Sequence, residues 1–394
     1  MSMNLRKASV MIDIIMPLSL FLIFYPPCLV WYASELMFVI YLLQKGLFFL
    51  AACYAIKYKI FQNVDLWLLI GYIIWIIIVT VIQRNPIGEI GIFLNLFSWC
   101  IISIYCLERN PRKFTGCAAF YFTALIFLNT LLWKEEGMYV SANGQLNFVL
   151  GTKTCITEYQ IVACGFIGMY YALLPKKKKR NAISLLTILV LSVIVWNVRQ
   201  PISTSAVCMV VFIGLFMAQN IQNMLVDIAL KVAFWVANAL NLGIIFFNAQ
   251  MLFASFITDV LHESVELDSR TYIWKVVIAK ISESPIIGHG LNSNTFFSID
   301  EGISAINQST HNGLLNFLFI GGIVGTVYIM LLCFRLLRNV NIKTLPGRIF
   351  CVMLACFALF WISEQTKGYV LFYSCLILGV CISCIDQHCI ENQV

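Results

Sequence analysis

Residues 270–325 read RTYIWKVVIAKISESPIIGHGLNSNTFFSIDEGISAINQSTHNGLLNFLFIGGIVG. This stretch gathers an arginine, a tryptophan, a Gly-His-Gly turn and a His-Asn pair, then enters a long apolar run. Around it the chain is apolar enough to dissolve in lipid. Of 394 residues, 61% are hydrophobic and 11% charged, where an average soluble domain carries roughly a quarter charged. In such a protein, chemistry collects where polar residues gather between spans. The quoted stretch therefore reads as the mouth of an active site, built from a loop and the helix that follows it.

A mean hydropathy of +0.88 over this length implies many spans, since each needs about 20 apolar residues. The apolar runs are continuous rather than alternating, which selects helices over a barrel. The fold class expected is an all-α polytopic membrane protein with about twelve transmembrane helices. They fall near 10–32, 36–56, 65–82, 89–107, 114–132, 155–174, 182–198, 203–219, 224–247, 311–334, 348–363 and 369–385. The first run continues into Pro26-Pro27 and reads as a span rather than a cleavable leader.

The net charge of +7 does not point to nucleic acid, because the cations sit in short loops between spans. With the N-terminus inside, sixteen basic residues fall in inner loops, the block Lys176 to Arg180 among them. Eight fall outside, including Arg84, Arg199 and Arg270. The positive-inside rule thus places both termini in the cytoplasm. The chain reads as a single transmembrane domain over 1–394. Within it, 248–310 forms a large, partly helical extracytoplasmic loop between spans 9 and 10. There Asp268 or Ser269 can cap a helix that ends before Pro285, with Arg270, Trp274, Val277, Ile278 and Ile281 on one face. A second outer loop covers about 133–154. Most of the fifteen cysteines lie in spans, as small apolar residues rather than a disulfide framework.

Arg199 and Arg270 stand on the side where the charge bias disfavours arginine. Two outward guanidinium groups suit a diphosphate, whose oxygens match their forked donors. The alternative for Arg199 is an arginine snorkelling at the interface. His311 precedes Asn312 and an apolar run closing in Gly321, Gly322 and Gly325, which lets another helix approach closely. It can accept a proton at neutral pH; the alternative is a satisfied interfacial histidine. His289, in Gly288-His289-Gly290, reads mainly as part of a tight turn. Lys45, in mid-span, can pair with Asp13 or Glu35 or reach a phosphate. Asp227 and Lys231, four apart, can neutralise each other. Cys381, Cys384, His388 and Cys389 have zinc-like spacing but straddle a span end and its tail, so no metal site is expected there.

Arg270-x-x-x-Trp274, Pro285-Ile-Ile-Gly-His-Gly290 and His311-Asn312-x-x-Leu315 with Gly322 and Gly325 together resemble the O-antigen ligase and O-antigen polymerase superfamily. Arg199, before a Ser/Thr-containing span, resembles that family's outward arginine. The resemblance implies a glycosyltransferase in the bacterial cytoplasmic (inner) membrane. It would move a glycan from an undecaprenyl-diphosphate-linked donor to a glycan acceptor hydroxyl on the outer face. Arg199 and Arg270 would hold the diphosphate and His311 would act as base, with His289, Trp274, Asn312 and Lys45 as accessory candidates. No cofactor and no metal are expected, since no outer Asp-x-Asp pair stands ready for a divalent ion. A polymerase of capsular or O-antigen repeat units is the first reading, with a chain-length regulator and a flippase as further partners. The alternatives are the ligase that transfers polymer to a lipid A core, and a polytopic transporter or flippase. Polarity collected on one face around one loop favours the enzyme over the transporter.

The orientation is testable by itself. A cysteine introduced as Ser298→Cys, in a background lacking reactive cysteines, is expected to label with an impermeant maleimide on intact cells. Labelling only after the cells are broken would reverse the topology.

Overall fold

A computed structural model describes residues 14–57, 64–85, 90–141, 144–217, 221, 223–249, 251, 255, 258–259, 270–291, 310–365 and 369–391. The described chain is helical apart from one small hairpin. Its helices are α1 (Ile14–Ile23), α2 (Leu29–Tyr32), α3 (Ser34–Lys57), α4 (Val64–Ile82), α5 (Ile90–Arg109), α6 (Pro111–Leu131) and α7 (Cys155–Leu173). There follow α8 (Lys179–Arg199), α9 (Ser203–Met217), α10 (Met224–Phe247), α11 (Arg270–Glu283), α12 (Gly313–Asn339), α13 (Leu345–Ser363), α14 (Tyr369–Val380) and α15 (Ile382–Glu391). Between α6 and α7, β1 (Tyr139–Val140) pairs antiparallel with β2 (Leu146–Asn147).

Eight of these helices are long and apolar enough to cross a membrane, or up to nine if α14 and α15 form one span bent by 54°. The protein is therefore a polytopic all-α membrane protein. The remaining three expected spans appear as α1, α7 and α9. α1 and α9 are shorter apolar helices flanked by residues outside the described set. α7 carries Thr157, Glu158 and Gln160, all buried, along with nearly every other residue of the helix. It packs against α6, α8, α9, α13 and α14 and so has protein rather than lipid for a solvent. Gln160 is tolerated there because it finds a partner on α9: Ser205 Oγ donates to Gln160 Oε1 at 2.6 Å and Gln160 Nε2 donates to the Ser205 carbonyl at 2.8 Å. Glycine lets α13 close on this central helix, the position of a Cβ on Gly168 lying 2.8 Å from Ile349 Cδ1.

At one end of the bundle, ion pairs tie separate helices. Arg335 Nε lies 2.8 Å from Asp65, and Arg348, which is buried, lies 2.9 Å from Asp227. The expected Asp227–Lys231 neutralisation is thus replaced by a pairing across helices; a buried guanidinium takes the carboxylate ahead of the i,i+4 lysine.

The feature that positions the site is a break in α12. Gly322 has φ 63° and ψ −167°, in a region open essentially only to glycine. A helix broken there leaves backbone groups without partners, and the turn after α11 supplies them. Pro285 and Ile286 carbonyls accept from the N–H groups of Ile323 (2.8 Å) and Val324 (3.2 Å). In return, His289 and Gly290 donate to the carbonyls of Phe319 (2.8 Å) and Ile320 (2.9 Å). Trp75 Nε1 takes the Gly321 carbonyl at 2.9 Å. Gly288, at φ 78°, lies so close to Gly322 and Ile320 that a Cβ would collide with their backbone. Gly322 is therefore the socket for the Pro285–Gly290 turn rather than a seat for a neighbouring helix. Gly321 and Gly325 face Ile76 and Trp75 of α4, as close packing requires.

Gly322→Ala is expected to cost about 1–3 kcal/mol from its backbone angles alone, and more from the collision with Ile286. Gly214→Ala, where a Cβ meets nothing within 4 Å, is the control. Thermal unfolding of the detergent-solubilised variants checks this. Equal stability for the two would remove the lock from the account.

Candidate active site

The turn that repairs α12 also fixes α11, which lies alongside α12. Trp274 and Val277 are buried, 2% and 0% exposed, so one face of α11 is anchored as its spacing predicts. The expected cap residues Asp268 and Ser269 lie outside the described residues. Arg270 opens the helix at its other end. Lys280 donates to Glu283 Oε1 at 2.9 Å and holds that exposed carboxyl below its ordinary pKa.

Beside Arg270, the chain enters α12 through Thr310, His311 and Asn312. Asn312 is the N-cap: its side-chain oxygen accepts from the N–H groups of Leu314 (3.0 Å) and Leu315 (3.1 Å). It is fully buried, and its Nδ2 donates to Asn241 Oδ1 on α10 at 2.7 Å. The Thr310 N–H donates to Gln365 Oε1, just past α13, at 3.0 Å. Between these two anchors His311 takes φ 45°, a left-handed conformation uncommon for a residue with a Cβ.

The residue that joins the parts is Glu364, which caps α13 and is 4% exposed. One carboxylate oxygen lies 3.6 Å from Arg270 Nη2, and the other lies 3.5 Å from His311 Nδ1. Arg270 and His311 are each about a fifth exposed, at 22% and 23% of the side chain. A nearly buried carboxylate thus faces an arginine and a histidine that are both partly exposed. Such a carboxylate at Nδ1 orients an imidazole and favours a proton on that nitrogen, making Nε2 the basic one.

The other sequence candidates stand apart from this cluster. Arg199 ends α8, where its Nη1 donates to the Thr130 carbonyl at 2.9 Å and its guanidinium lies 5.0 Å from the Trp133 ring centroid. It closes one end of a groove of about 300 Å³ whose walls include Phe127, Leu131, Ile188, Leu191 and Val195. No described contact joins it to Arg270. His289 is structural: its Nε2 is 2.8 Å from the Lys280 carbonyl and its ring stacks on Phe319. Trp274 belongs to the core rather than the opening. Cys384 Sγ lies 3.8 Å from His388 Nδ1, and among the described residues no group of three His, Cys, Asp or Glu is placed to hold a metal.

Residues 159–330 match the family described as O-antigen ligase. This match supports the resemblance to the O-antigen polymerase and ligase superfamily. No match was found among curated proteins. The matched segment runs from α7 into α12 and contains Arg199, Arg270, His289 and His311; Glu364 and Lys45 lie beyond it. An O-antigen ligase-type protein is a glycosyl-transfer enzyme of polysaccharide assembly, here built into a multi-pass membrane bundle.

Asn312 and His311 are neighbours with different expected roles. Asn312→Ala loses a helix cap and a buried hydrogen bond, a loss of about 1–3 kcal/mol. His311→Asn, which tolerates positive φ, is expected to keep the wild-type melting temperature. Comparable thermal destabilisation of both variants would make His311 a structural residue only.

Proposed function

We propose that the protein polymerises oligosaccharide repeat units carried on undecaprenyl diphosphate, by inverting glycosyl transfer on the extracytoplasmic face of the cytoplasmic membrane. The observation that supports this most is the pairing of both Arg270 and His311 with the buried Glu364. In the proposed step, the acceptor hydroxyl oxygen attacks the anomeric carbon while the bond to the diphosphate oxygen breaks. The electron pair leaves with the lipid diphosphate, and His311 Nε2 takes the hydroxyl proton. Glu364 holds the imidazole in that tautomer and stabilises the imidazolium as it forms. Arg270 faces the developing negative charge. Arg199 fits the donor from the other side, since the apolar groove beneath it has the character of a slot for a polyprenyl tail under a phosphate. The polypeptide supplies the base and the cations for this step, so the reading is metal-independent.

The ligase, which transfers finished polymer to a lipid A core, is the second reading, favoured by the description of the matched family. Both reactions use one donor and the same three groups at the reacting centre.

Single-turnover transfer and donor affinity test the division of labour. His311→Asn is expected to slow transfer by roughly 10²–10⁴-fold with donor binding nearly intact. Arg270→Ala is expected to weaken both, and Arg270→Lys to restore part, since lysine keeps the charge without the planar fork. Glu364→Gln keeps the shape of the side chain but removes the charge facing Arg270 and His311, and is expected to slow transfer while leaving the fold intact. Normal turnover by His311→Asn would end the base assignment. Normal turnover by Glu364→Gln would end the positioning role of Glu364.

A further inference from the structure

A polar cavity lies elsewhere in the bundle, between α3 and α5. It has a volume of about 480 Å³, and Tyr25, Tyr41, Gln44, Lys45, Gly91 and Asn95 line it. Lys45 sits in the apolar run Tyr41–Ala52, where an ammonium costs about 2.5–3.5 kcal/mol on insertion scales unless it finds a partner. Glu35, one of its two expected partners, is ten residues back on the same helix, about 15 Å along the axis and on another face. Asp13 lies outside the described residues. No carboxylate lines the cavity; Gln44 Nε2 donates to the Leu22 carbonyl at 2.6 Å and the Tyr25 and Tyr41 hydroxyls pair with each other, which leaves the ammonium, the Asn95 carboxamide and one phenol to donate into it.

The level of the cavity follows from helix register. Phe48 packs on Phe97 (5.5 Å between centroids) and Tyr54 on Tyr105 (4.2 Å), so α3 and α5 run parallel with Lys45 near Asn95. Asn95 is little more than a turn inside the start of α5. The cavity thus adjoins the first turn of a long helix, whose leading N–H groups lack intrahelical acceptors and whose dipole favours an anion. Gly91, in that turn, leaves open space, for a Cβ there meets nothing within 4 Å.

We propose that this cavity binds the phosphoryl head of a membrane lipid, with the Lys45 ammonium as counter-ion and the Asn95 carboxamide and one wall phenol as further donors. The two sources of that chemistry are a bilayer glycerophospholipid and a polyprenyl phosphate carrier. The site is separate from the Arg270–Glu364–His311 cluster, and its occupancy is measurable without any transfer reaction.

The experiment is native mass spectrometry of the full-length protein in detergent, titrated separately with phosphatidylglycerol, undecaprenyl phosphate, uncharged diacylglycerol and inorganic phosphate. The wild type is expected to retain at least one of the two phospholipids and not diacylglycerol. Retention of one or of the other identifies the source. Lys45→Met is expected to lower that retention about tenfold or more, the worth of one charge-assisted contact, and Lys45→Arg to preserve it. Gly91→Leu fills the cavity without touching the charge and is expected to lower retention as well. Retention unchanged in both Lys45→Met and Gly91→Leu would overturn the proposal. So would equal retention of diacylglycerol, or inorganic phosphate binding as tightly as the lipids. Should Lys45→Met fail to fold and Asp13→Asn restore it, the lysine serves an internal ion pair and the lipid site is refuted.

Discussion

A backbone amide inside a membrane protein has no water to fall back on, and the break at Gly322 puts several such amides in question at once. An unpaired buried amide costs several kcal/mol in an apolar medium. The Pro285–Gly290 turn answers that cost with two donors and two acceptors set into the gap. The exchange also settles where other things go. Because the turn is pinned to the middle of α12, α11 has to lie along the first half of that helix. Its first residue, Arg270, is then delivered to the neighbourhood of His311. A helix without the break would leave the turn nothing to bind and α11 nothing to be registered against.

The polar cluster at the entrance of α12 depends on that placement and adds a second constraint. Glu364 is nearly buried, so its charge is tolerated only beside cations or donors. Arg270 comes from α11, His311 from the entrance of α12 and Glu364 from the end of α13, so three elements meet at one carboxylate. The neighbouring amides make the meeting rigid: Asn312 is held by Asn241 on α10 and Thr310 by Gln365. His311 stays at positive φ because both of its neighbours are tied.

Much of this was legible in the sequence, and what was not has identifiable causes. Apolar runs marked the helices because lipid demands continuity. They gave no sign that the stretch at 369–385 bends by 54° near Cys381, or that α7 is wrapped in protein. Arg270, Trp274 and His311 stood out because a charged, aromatic or titratable residue is rare in such a composition. Glu364 did not, being one acid at a span end, four residues after Phe360 and with no local pattern around it. Its meaning comes from contacts with residues 94 and 53 positions away, which no spacing rule reaches. A signal was nonetheless present: an acidic residue directly before Gln365, at the end of a span on the side bearing Arg270 and His311, is a natural partner for both. His289, read mainly as part of a tight turn, sits in one: the glycines serve the socket and the imidazole closes the end of α11.

The electrostatics of the cluster suggest how the proposed reaction would be kept in step with its substrate. At 3.6 Å, Arg270 and Glu364 form an ion pair looser than a hydrogen bond, and Arg270 remains partly exposed. An arriving diphosphate carries more charge than one carboxylate and offers a matching fork, so it can draw the guanidinium toward itself. Glu364 would then lose a share of its cationic partner while staying buried, with His311 at its other oxygen. A buried carboxylate that loses part of one cation leans more on the other groups beside it. Donor binding at the arginine would thus be felt at the histidine through one shared side chain, coupling the two halves of the reaction.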